Sequence, residues 1–400
     1  MAIDSKTNGH TNGAPKAPAE LDASKLVISL AKELKPLPTP EELVFGETKT
    51  DHMLIVNYDP VNGWGTPEIK PYGPLSLDPM SSCFHYCPNV FEGMKAYVGP
   101  DGEARLFRPE ENMKRLARSA DRVALPPFDT KAVLELLKRF IEVEQRWIPT
   151  QPGYSLYIRP TIIGTRSALG VHASDSACLY AIVTPAGPYF PGDAKGISLL
   201  AVGESVRAWP GGTGGHKLGL NYAPGFLPQR LASKQGYDQI LWLFGEDERL
   251  TEVGAMNVFV VAKREDGDID LITPHLDGTI LPGITRASTL QLAQAHTAGK
   301  IILPGVPANT KIHTHERVVT MSEVLRLADD QRILECFGVG TAVLVAPVGR
   351  IGWRGKDINL PVHKGGLGPI GNGLRTAILE IQTGVRQFED WSVPVVSVDL

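Results

Sequence analysis

Alternation of apolar and polar positions predicts β-strands at several places along the chain. Residues 51–58 and 155–160 alternate in this way, and residues 181–185 form another short, mostly apolar segment. Two apolar runs, 239–244 and 258–261, stand on either side of a polar turn and indicate a strand–turn–strand unit. Runs this short, bounded by turn residues, are typical of strands rather than helices.

Helical spacing of apolar residues appears between these strands. Met113, Leu116 and Ala120 recur at intervals of three and four, which predicts a helix over 111–120. Longer amphipathic segments predict helices at 130–147 and, near the C-terminus, at 373–391. Strands and helices therefore interleave, and we expect a mixed α/β (α+β) protein.

The chain has 400 residues, more than one hydrophobic core usually serves, so two domains are expected. The best linker is the Gly- and Pro-rich start of residues 187–197, which we assign as an interdomain loop. A small α/β domain is expected at 24–186 and a larger one at 198–400. Residues 1–23, rich in Asn, Gly, Ala, Pro and Lys, are expected to form a disordered leader.

Composition excludes several classes of function. A net charge of −4 gives no reason to expect nucleic acid or an anionic membrane as a partner. The sequence contains no run of 18 apolar residues, the length that a membrane-spanning helix needs. Cys83 and Cys87 lie four residues apart without a second pair at zinc-finger spacing, so no metal site is expected. Scattered cysteines, and a first arginine only at Arg105, favour a cytoplasmic protein over one with a mitochondrial presequence.

The first stretch with distinctive chemistry is 211–222, in which five glycines and a histidine surround Lys217. Glycine neighbours leave a lysine open to close approach, and lysine forms Schiff bases with carbonyl compounds when its pKa is depressed. Pyridoxal 5'-phosphate is a carbonyl cofactor held in this way. Taken alone, the stretch fits a flexible surface loop with a solvated lysine equally well or better.

A second stretch, 250–257, places Glu252 at the start of an apolar run. The pyridine nitrogen of pyridoxal phosphate requires an acidic partner if the ring is to stay protonated and act as an electron sink. Glu252 could supply that partner. An exposed acid at a strand edge is about as good an interpretation of this stretch by itself.

Together the two stretches resemble the branched-chain amino-acid aminotransferases, of the eukaryotic and fungal type, among the fold-type-IV pyridoxal-phosphate enzymes. The first matches GGTG-x-x-K-x-G-x-NY, and the second matches LTEVG-x-MN. The likeness extends from about Val44 to the C-terminus. It implies two α/β domains with the cofactor in the cleft between them, and amino transfer between a hydrophobic L-amino acid and 2-oxoglutarate.

The resemblance also implies roles for individual residues. Lys217 would form the Schiff base and carry the proton, Tyr222 would contact the cofactor's phenolic oxygen, and Glu252 the ring nitrogen. Arg115 would bind the phosphate by two parallel hydrogen bonds. The Pro-Gly turn before a helix at Ile284 and Thr285 would add free amide groups and a helix dipole. The resemblance implies that Thr341 contacts both the cofactor and the substrate.

On the substrate side the resemblance implies a larger set of residues, several of them aromatic. The loop near Leu169 would reach the pocket of a neighbouring subunit, so a homodimer is expected. The set consists of Tyr86, Phe91, Tyr157, Arg159, Leu169, Val171, Tyr189, Ala255, Thr341 and Ala342.

Some positions depart from the family's pattern. Ala255 stands where Thr is common beside the substrate carboxylate, and Leu220 where many members have Gly. Lys49 aligns with a position that is often Phe in the pocket. Val343 and Ala346 take the places of a redox-active cysteine pair in mammalian members, so no such switch is expected.

These departures leave the substrate open more than the reaction. A specialised aminotransferase of secondary metabolism remains an alternative, as does another fold-type-IV enzyme such as a lyase or a D-amino-acid transaminase. The Tyr157 and Arg159 pair argues against the latter. A catalytically silent binding protein is the alternative from a different class, and an intact Lys217 argues against it.

Overall fold

The computed structural model describes residues 17–188 and 196–395, and they form two large β-sheets with helices packed on them. The mixed α/β class expected from the sequence is confirmed. In chain order the strands are β1 (Val27–Ile28), β2 (His52–Asp59), β3 (Gly63–Trp64), β4 (Glu68–Pro71), β5 (Asn89–Phe91), β6 (Met94–Val98), β7 (Ala104–Phe107), β8 (Ser155–Gly164), β9 (Ala177–Ala186), β10 (Ile197–Val202), β11 (Gln239–Phe244), β12 (Arg249–Val253), β13 (Met256–Lys263), β14 (Ile269–Thr273), β15 (Ile312–Glu316), β16 (Ile333–Gly340), β17 (Leu344–Trp353), β18 (Lys356–Asn359) and β19 (Ser392–Pro394).

Seven α-helices lie in the described part of the chain. They are α1 (Ser82–His85), α2 (Pro109–Arg122), α3 (Thr130–Val143), α4 (Phe226–Lys234), α5 (Ile284–Thr297), α6 (Met321–Asp329) and α7 (Pro369–Gln382). Single 3-10 turns lie at Ala23–Lys25, Pro40–Glu42, Gln145–Trp147, Gly219–Asn221 and Ala223–Gly225.

The first sheet has ten strands in the order β1-β4-β2-β9-β8-β6-β7-β19, with β3 beside β2 and β5 beside β8. Its strands pair antiparallel except for β1 with β4. The edge strand β19 comes from the C-terminal end of the chain and pairs with β7. Residues 392–394 therefore return to the sheet that the N-terminal half builds.

The second sheet has nine strands in the order β12-β11-β10-β17-β16-β13-β14-β15, with β18 beside β17. Because β12 pairs with both β11 and β13, six of these strands close into a ring. Closure leaves fewer unpaired strand edges. It also brings the end of β12, which carries Glu252, next to β13.

Each sheet buries its own helices. Leu116 of α2 and Phe140 of α3 pack in one core with Leu156 of β8. In the second core, Leu292 of α5 and Ile378 of α7 pack with other fully buried residues of the second sheet. These side chains occupy the apolar face of each amphipathic helix, whose burial is the main favourable contribution to folding.

Several sequence-based boundaries differ from the structure. Residues 17–23, assigned to the leader, are ordered against the first sheet: Ala19 exchanges backbone hydrogen bonds with 62–64, and Leu21 is buried. Residues 1–16 lie outside the described residues. The helix predicted at 373–391 is instead α7, which ends at Gln382, because the chain then turns at a left-handed Gly384 toward β19.

The acidic stretch also differs from its prediction. Glu252 does not begin the strand at 258–261; it lies in a separate strand, β12, that turns directly into β13 at Gly254. Gly254 has a φ of +55°, a conformation that glycine adopts at little cost. The predicted polar turn at 245–248 does connect β11 with β12.

Candidate active site

A cavity of about 650 Å³ is lined by residues from both sheets. Its size suits a small cofactor together with a substrate. Most residues that the sequence assigned to the site line this cavity. They are Phe91, Arg115, Tyr157, Arg159, Lys217, Tyr222, Ala255, Ile284, Thr285, Thr341 and Ala342.

Lys217 projects into the cavity from a loop fixed at several points. Its backbone N–H donates to Ser119 Oγ on α2 (2.9 Å), and its carbonyl accepts from the N–H of Phe91 (3.2 Å). The Nζ atom lies 3.3 Å from Tyr222 Oη and 4.9 Å from the centre of the Phe91 ring. This environment contradicts the alternative of a solvated lysine in a flexible loop.

The loop holds its shape through side-chain bonds and close glycine packing. Asn221 Nδ2 donates to the carbonyls of Thr213 (3.0 Å) and His216 (2.9 Å). A Cβ on Gly214 would lie 2.3 Å from the carbonyl oxygen of Thr279, so only glycine fits there. Gly214 therefore serves close packing rather than flexibility.

At one end of the cavity Arg115 forms a buried, bidentate ion pair with Glu92. Nε donates to Oε1 (2.7 Å) and Nη2 to Oε2 (2.8 Å), while Nη1 donates to the carbonyl of Pro282 (3.0 Å). Asn112 Nδ2 donates to the same carboxylate (2.7 Å). Burial would raise the pKa of Glu92, but Arg115 outweighs it and holds that pKa below its usual range. The guanidinium is thus held in one orientation.

Helix α5 begins beside Arg115. Its N-cap residue is Gly283, which has no side chain to cap the first amide groups, so those of Ile284 and Thr285 remain available to a ligand. A Cβ on Gly283 would lie 2.1 Å from Asn257 Oδ1, which accounts for glycine there. An arginine and an uncapped helix N-terminus on one cavity wall are well suited to a phosphate.

Glu252 lies at another part of the site, buried just behind the cavity wall. Its carboxylate pairs with Arg207 Nε (2.7 Å) and accepts from the backbone N–H of Leu281 (2.7 Å). Leu281 and Asn257, the register partner of Glu252, both line the cavity. Burial raises the pKa of Glu252, and Arg207, the Leu281 amide and Lys217 oppose that rise.

Aromatic and cationic side chains form a further part of the cavity wall. Tyr157 and Arg159 lie two apart on β8 and face the cavity together, and Arg159 Nη2 donates to Tyr157 Oη (3.1 Å). The Arg159 guanidinium lies 4.7 Å from the Phe91 ring centre. The wall therefore offers apolar surface together with one fixed positive charge.

The turn at 341–343 connects β16 to β17 and lines the cavity with Thr341, Ala342 and Val343. Ala255, between β12 and β13, is exposed to the cavity beside it. Lys95 Nζ reaches this turn from the first sheet and donates to the carbonyl of Ala342 (2.9 Å).

Besides Glu252 behind the wall, three assigned residues in the described part of the chain, Tyr86, Leu169 and Val171, do not line the cavity. Tyr86 Oη donates to the carbonyl of Leu169 (2.5 Å), which joins the two loops on the surface. Leu169 is 53% exposed and Val171 is 79% exposed. Tyr189, also assigned to the substrate, lies outside the described residues.

The structure corrects one proposed departure from the family and clarifies the others. Lys49 is exposed, and Phe45 lines the cavity instead, 4.8 Å from the Tyr157 ring centre, so an aromatic residue is present. Leu220 packs against the first core, while Ala346 is fully buried in the second sheet.

Sequence reasoning missed Arg207, Lys95, Phe45 and the role of Glu92 as the partner of Arg115. Glu92 directly follows Phe91, which the resemblance placed in the substrate set, so its neighbourhood was indicated but its ion pair was not. Arg207 lies ten residues before Lys217 in a polar stretch with no distinguishing pattern. A long-range pair leaves no local sequence signal.

These residues fit pyridoxal 5'-phosphate. The Lys217 amine, the uncapped N-terminus of α5 with Arg115, and the buried Glu252 match a carbonyl, a phosphate and a pyridine nitrogen respectively. The described residues contain no group of three or more His, Cys, Asp or Glu side chains that could hold a metal ion. Within residues 17–188 and 196–395, no helix has the length and hydropathy needed to cross a bilayer.

Comparison with known proteins agrees with this geometry. A family model described as amino-transferase class IV matches residues 89–351. The mitochondrial branched-chain-amino-acid aminotransferase of Schizosaccharomyces pombe is 47% identical over 378 residues, which cover 94% of this chain and 86% of that protein. The cytosolic enzyme of the same name from Saccharomyces cerevisiae is 46% identical, with 94% and 97% covered.

Solved structures give the same result. The Escherichia coli branched-chain amino acid aminotransferase has a TM-score of 0.68 and 25% identity, with 86% of this chain and 99% of that chain covered. The T.th. enzyme complexed with N-(5'-phosphopyridoxyl)-L-glutamate has a TM-score of 0.64 and 26% identity, with 86% and 98% covered. The chain therefore belongs to the class IV aminotransferases and, within them, to the branched-chain-amino-acid aminotransferases, whose cofactor is pyridoxal 5'-phosphate.

Proposed function

We propose that this cavity transfers the amino group of a branched-chain or other hydrophobic L-amino acid to 2-oxoglutarate, giving the 2-oxo acid and glutamate. The observation that carries the proposal is the placement of Lys217 Nζ in one cavity with the Arg115 phosphate cradle and the Glu252 carboxylate beside it. Pyridoxal phosphate, when bound, supplies a carbonyl for the amine and an electron sink for the substrate Cα.

The chain's own residues would then divide the work. Lys217 holds the cofactor carbonyl and moves a proton to and from the substrate Cα as general base and acid. Tyr222 Oη, 3.3 Å from Lys217 Nζ, is placed to hydrogen-bond the cofactor's phenolic oxygen. Glu252 keeps the ring nitrogen protonated, and Arg115 with the amides of Ile284 and Thr285 anchors the phosphate.

The substrate wall suits two dissimilar partners. Phe45, Ile182 and Val343 offer apolar surface to a branched side chain. Arg159 offers a charged hydrogen-bond donor to the second carboxylate of glutamate. The turn at Thr341 and Ala342 would bind the α-carboxylate common to both.

The test is a substrate panel with purified protein. Leucine, isoleucine and valine with 2-oxoglutarate should yield glutamate, and borohydride reduction should place a pyridoxyl group on Lys217 by mass spectrometry. A label on a different lysine contradicts the assignment of Lys217. If none of the hydrophobic amino acids yields glutamate, the proposed reaction is wrong.

A second substrate class is favoured by one feature, the small side chain of Ala255 at the cavity surface. A methyl group leaves room beside the turn at 341–343, where a larger residue would fill it. In this alternative the enzyme serves specialised metabolism with a bulkier substrate. Aromatic and longer aliphatic amino acids in the same panel separate the two, because the alternative requires a higher kcat/KM for one of them than for leucine.

We also propose a homodimer in which each subunit completes the other's pocket. The joined loops of Tyr86 and Leu169, with Val171, present apolar and aromatic surface away from their own cavity. Burial of such a patch favours association. Val171→Asp should lower both the dimer fraction, measured by light scattering, and the turnover; a Val171→Asp monomer with full activity contradicts completion of the pocket.

For the compartment we propose the cytosol. One relative from Saccharomyces cerevisiae carries a cytosolic name, whereas another from the same organism is named mitochondrial. The four cysteines are all unpaired, as a reducing compartment favours. Fractionation of the tagged full-length chain decides the matter, and recovery with mitochondria would refute it.

A further inference from the structure

Lys95 makes a hydrogen bond that joins the two halves of the molecule. It lies on β6 in the first sheet, yet its Nζ donates to the carbonyl of Ala342, 247 positions later in the chain, at 2.9 Å. Ala342 belongs to the turn at 341–343 that lines the cavity. Within residues 17–188 and 196–395, no other side chain hydrogen-bonds to this turn.

The turn is closed by the antiparallel pairing of β16 with β17, in which Gly340 lies opposite Leu344. It connects β16 to β17, and Leu344, the residue that follows it, has a φ of +65°. A branched side chain in this left-handed region is strained, so the backbone here is held by its surroundings rather than by local preference. The bond from Lys95 adds to this pairing a side-chain contact that comes from the other sheet.

The surroundings of Lys95 mix polar and apolar groups and hold no counter-ion among the described residues. A cleft of about 20 Å³ behind the turn is lined by Lys95 together with Gly93, Met94, Phe107, Asn112, Ile284, Thr285, Thr341 and Gln382. In the described part of the chain no carboxylate lies within ion-pair distance of Lys95. Burial lowers the pKa of Lys95 to about 8. A desolvated ammonium is costly without an anion, so its position calls for a compensating negative charge.

Peptide geometry links this bond to the cavity. The peptide unit between Ala342 and Val343 is planar and trans, so its carbonyl and the Val343 N–H point in opposite directions. Since Lys95 holds the carbonyl from the cleft behind the turn, the Val343 N–H is directed away from that cleft, toward the side where Val343 lines the cavity.

We propose that Lys95 is a positioning residue that fixes the 341–343 turn so that its amide groups, that of Val343 included, receive the substrate carboxylate. The ammonium also provides a positive charge behind the turn that favours the bound carboxylate. This inference rests on the proposed function, since it takes the substrate carboxylate to lie at the turn.

The test compares Lys95→Met with Lys95→Arg. Lys95→Met removes donor and charge but keeps an unbranched chain, so KM for leucine and for 2-oxoglutarate should each rise about 10-fold, while kcat changes by less than about 3-fold. Lys95→Arg keeps both properties and should recover part of the KM. The absorbance of the bound cofactor should be the same in both variants, because Lys95 does not line the main cavity.

Two inhibitors separate positioning of the carboxylate from general damage. 4-Methylvalerate, a carboxylate without an amine, should bind Lys95→Met about 10-fold more weakly, whereas isoamylamine, an amine without a carboxylate, should bind both proteins alike. Lys70→Met, which removes a half-buried lysine from β4 of the same sheet, serves as the matched control and should leave all constants unchanged. An unchanged KM in Lys95→Met, or equal weakening of both inhibitors, overturns the inference.

A further variant distinguishes this inference from the placement of the substrate. Val343→Pro removes the amide itself. If cofactor-loaded Val343→Pro and Lys95→Met both bind 4-methylvalerate normally, the carboxylate does not lie at the turn, and both the placement and the inference are wrong. If Val343→Pro weakens binding and Lys95→Met does not, only the role of Lys95 is lost.

Discussion

Two buried carboxylate–guanidinium pairs lie at the cavity. In one pair the arginine faces the cavity and the glutamate supports it, and in the other pair these two roles are exchanged. At the phosphate end Arg115 lines the cavity and Glu92 lies behind it. At the ring end we assign the facing role to Glu252, with Arg207 as its support. Each supporting residue keeps its partner charged in a buried environment, where an unpaired charge would be neutralised instead.

The two carboxylates differ in how fully they are bonded. Glu92 accepts two bonds from Arg115, one from Asn112 and one from the Gly93 amide, and its pKa lies below the ordinary value. Glu252 forms an ion pair with Arg207 and accepts one hydrogen bond from the Leu281 amide, and burial leaves its pKa raised. The saturated pair is a fixed support, whereas the unsaturated one retains the acceptor capacity that a protonated ring nitrogen requires.

The largest predicted effect lies with Lys217. Lys217→Ala removes the group that transfers the proton and leaves both ion pairs intact, so kcat should fall by about 10⁴-fold or more while the protein still binds pyridoxal phosphate. Single-turnover kinetics with leucine measure the loss. Retention of more than a hundredth of the activity would mean that another base serves the reaction.

Glu252→Gln tests the facing carboxylate. The substitution keeps the shape but removes the charge that stabilises the protonated ring, and a loss of about 4 kcal/mol would slow transamination about 10³-fold. Turnover and cofactor content are measured together. Near-normal turnover in a folded, cofactor-loaded variant would refute the role of Glu252.

Arg207→Met tests the support behind Glu252. Arg207 opposes the burial that raises the pKa of Glu252, so without it the pKa rises further and less of the carboxylate is ionised at a given pH. We expect kcat to fall about 10- to 100-fold at neutral pH and the acidic limb of its pH profile to move to higher pH. Arg207→Lys is the control that keeps the charge, and an unshifted limb in Arg207→Met would contradict the coupling.

Glu92→Gln tests the residue that supports Arg115. We expect it to affect cofactor binding, whereas Arg207→Met should affect kcat. Arg115 keeps its charge but loses one ionised partner, so its orientation loosens and the affinity for pyridoxal phosphate should fall about 10-fold. At saturating cofactor, kcat should change little. Titration of the apoenzyme gives the affinity, and a fall in kcat as large as that of Glu252→Gln would show that the two ends are not distinct.

The smallest effect is expected at Ala255, which belongs to neither pair. Ala255→Thr adds a hydroxyl beside the 341–343 turn and fills space there, so kcat/KM should rise for leucine and fall for a bulkier substrate, by about 3- to 10-fold each. The two rates are measured side by side in both proteins. An unchanged ratio would mean that Ala255 does not set the substrate preference.

Patterns confined to a few neighbouring residues determined much of this protein in advance. Alternation and helical spacing located β2, β8 and α2 because burial of one face leaves a periodic trace in sequence, and a short apolar run between turn residues located β11. The glycine-rich stretch around Lys217 and the run containing Glu252 carry local chemistry, and the resemblance built on them led to the class IV aminotransferases, which the comparisons confirmed.

Only the tertiary structure decided which distant residues meet. The pairs of Glu92 with Arg115 and of Arg207 with Glu252 join elements 23 and 45 residues apart, and the reach of Lys95 to Ala342 spans 247. The tertiary structure also showed that Phe45, and not Lys49, lines the cavity, and that α7 ends at Gln382. Contacts of this kind depend on how two sheets pack, and packing energy is shared among many side chains, so no single stretch of sequence records it.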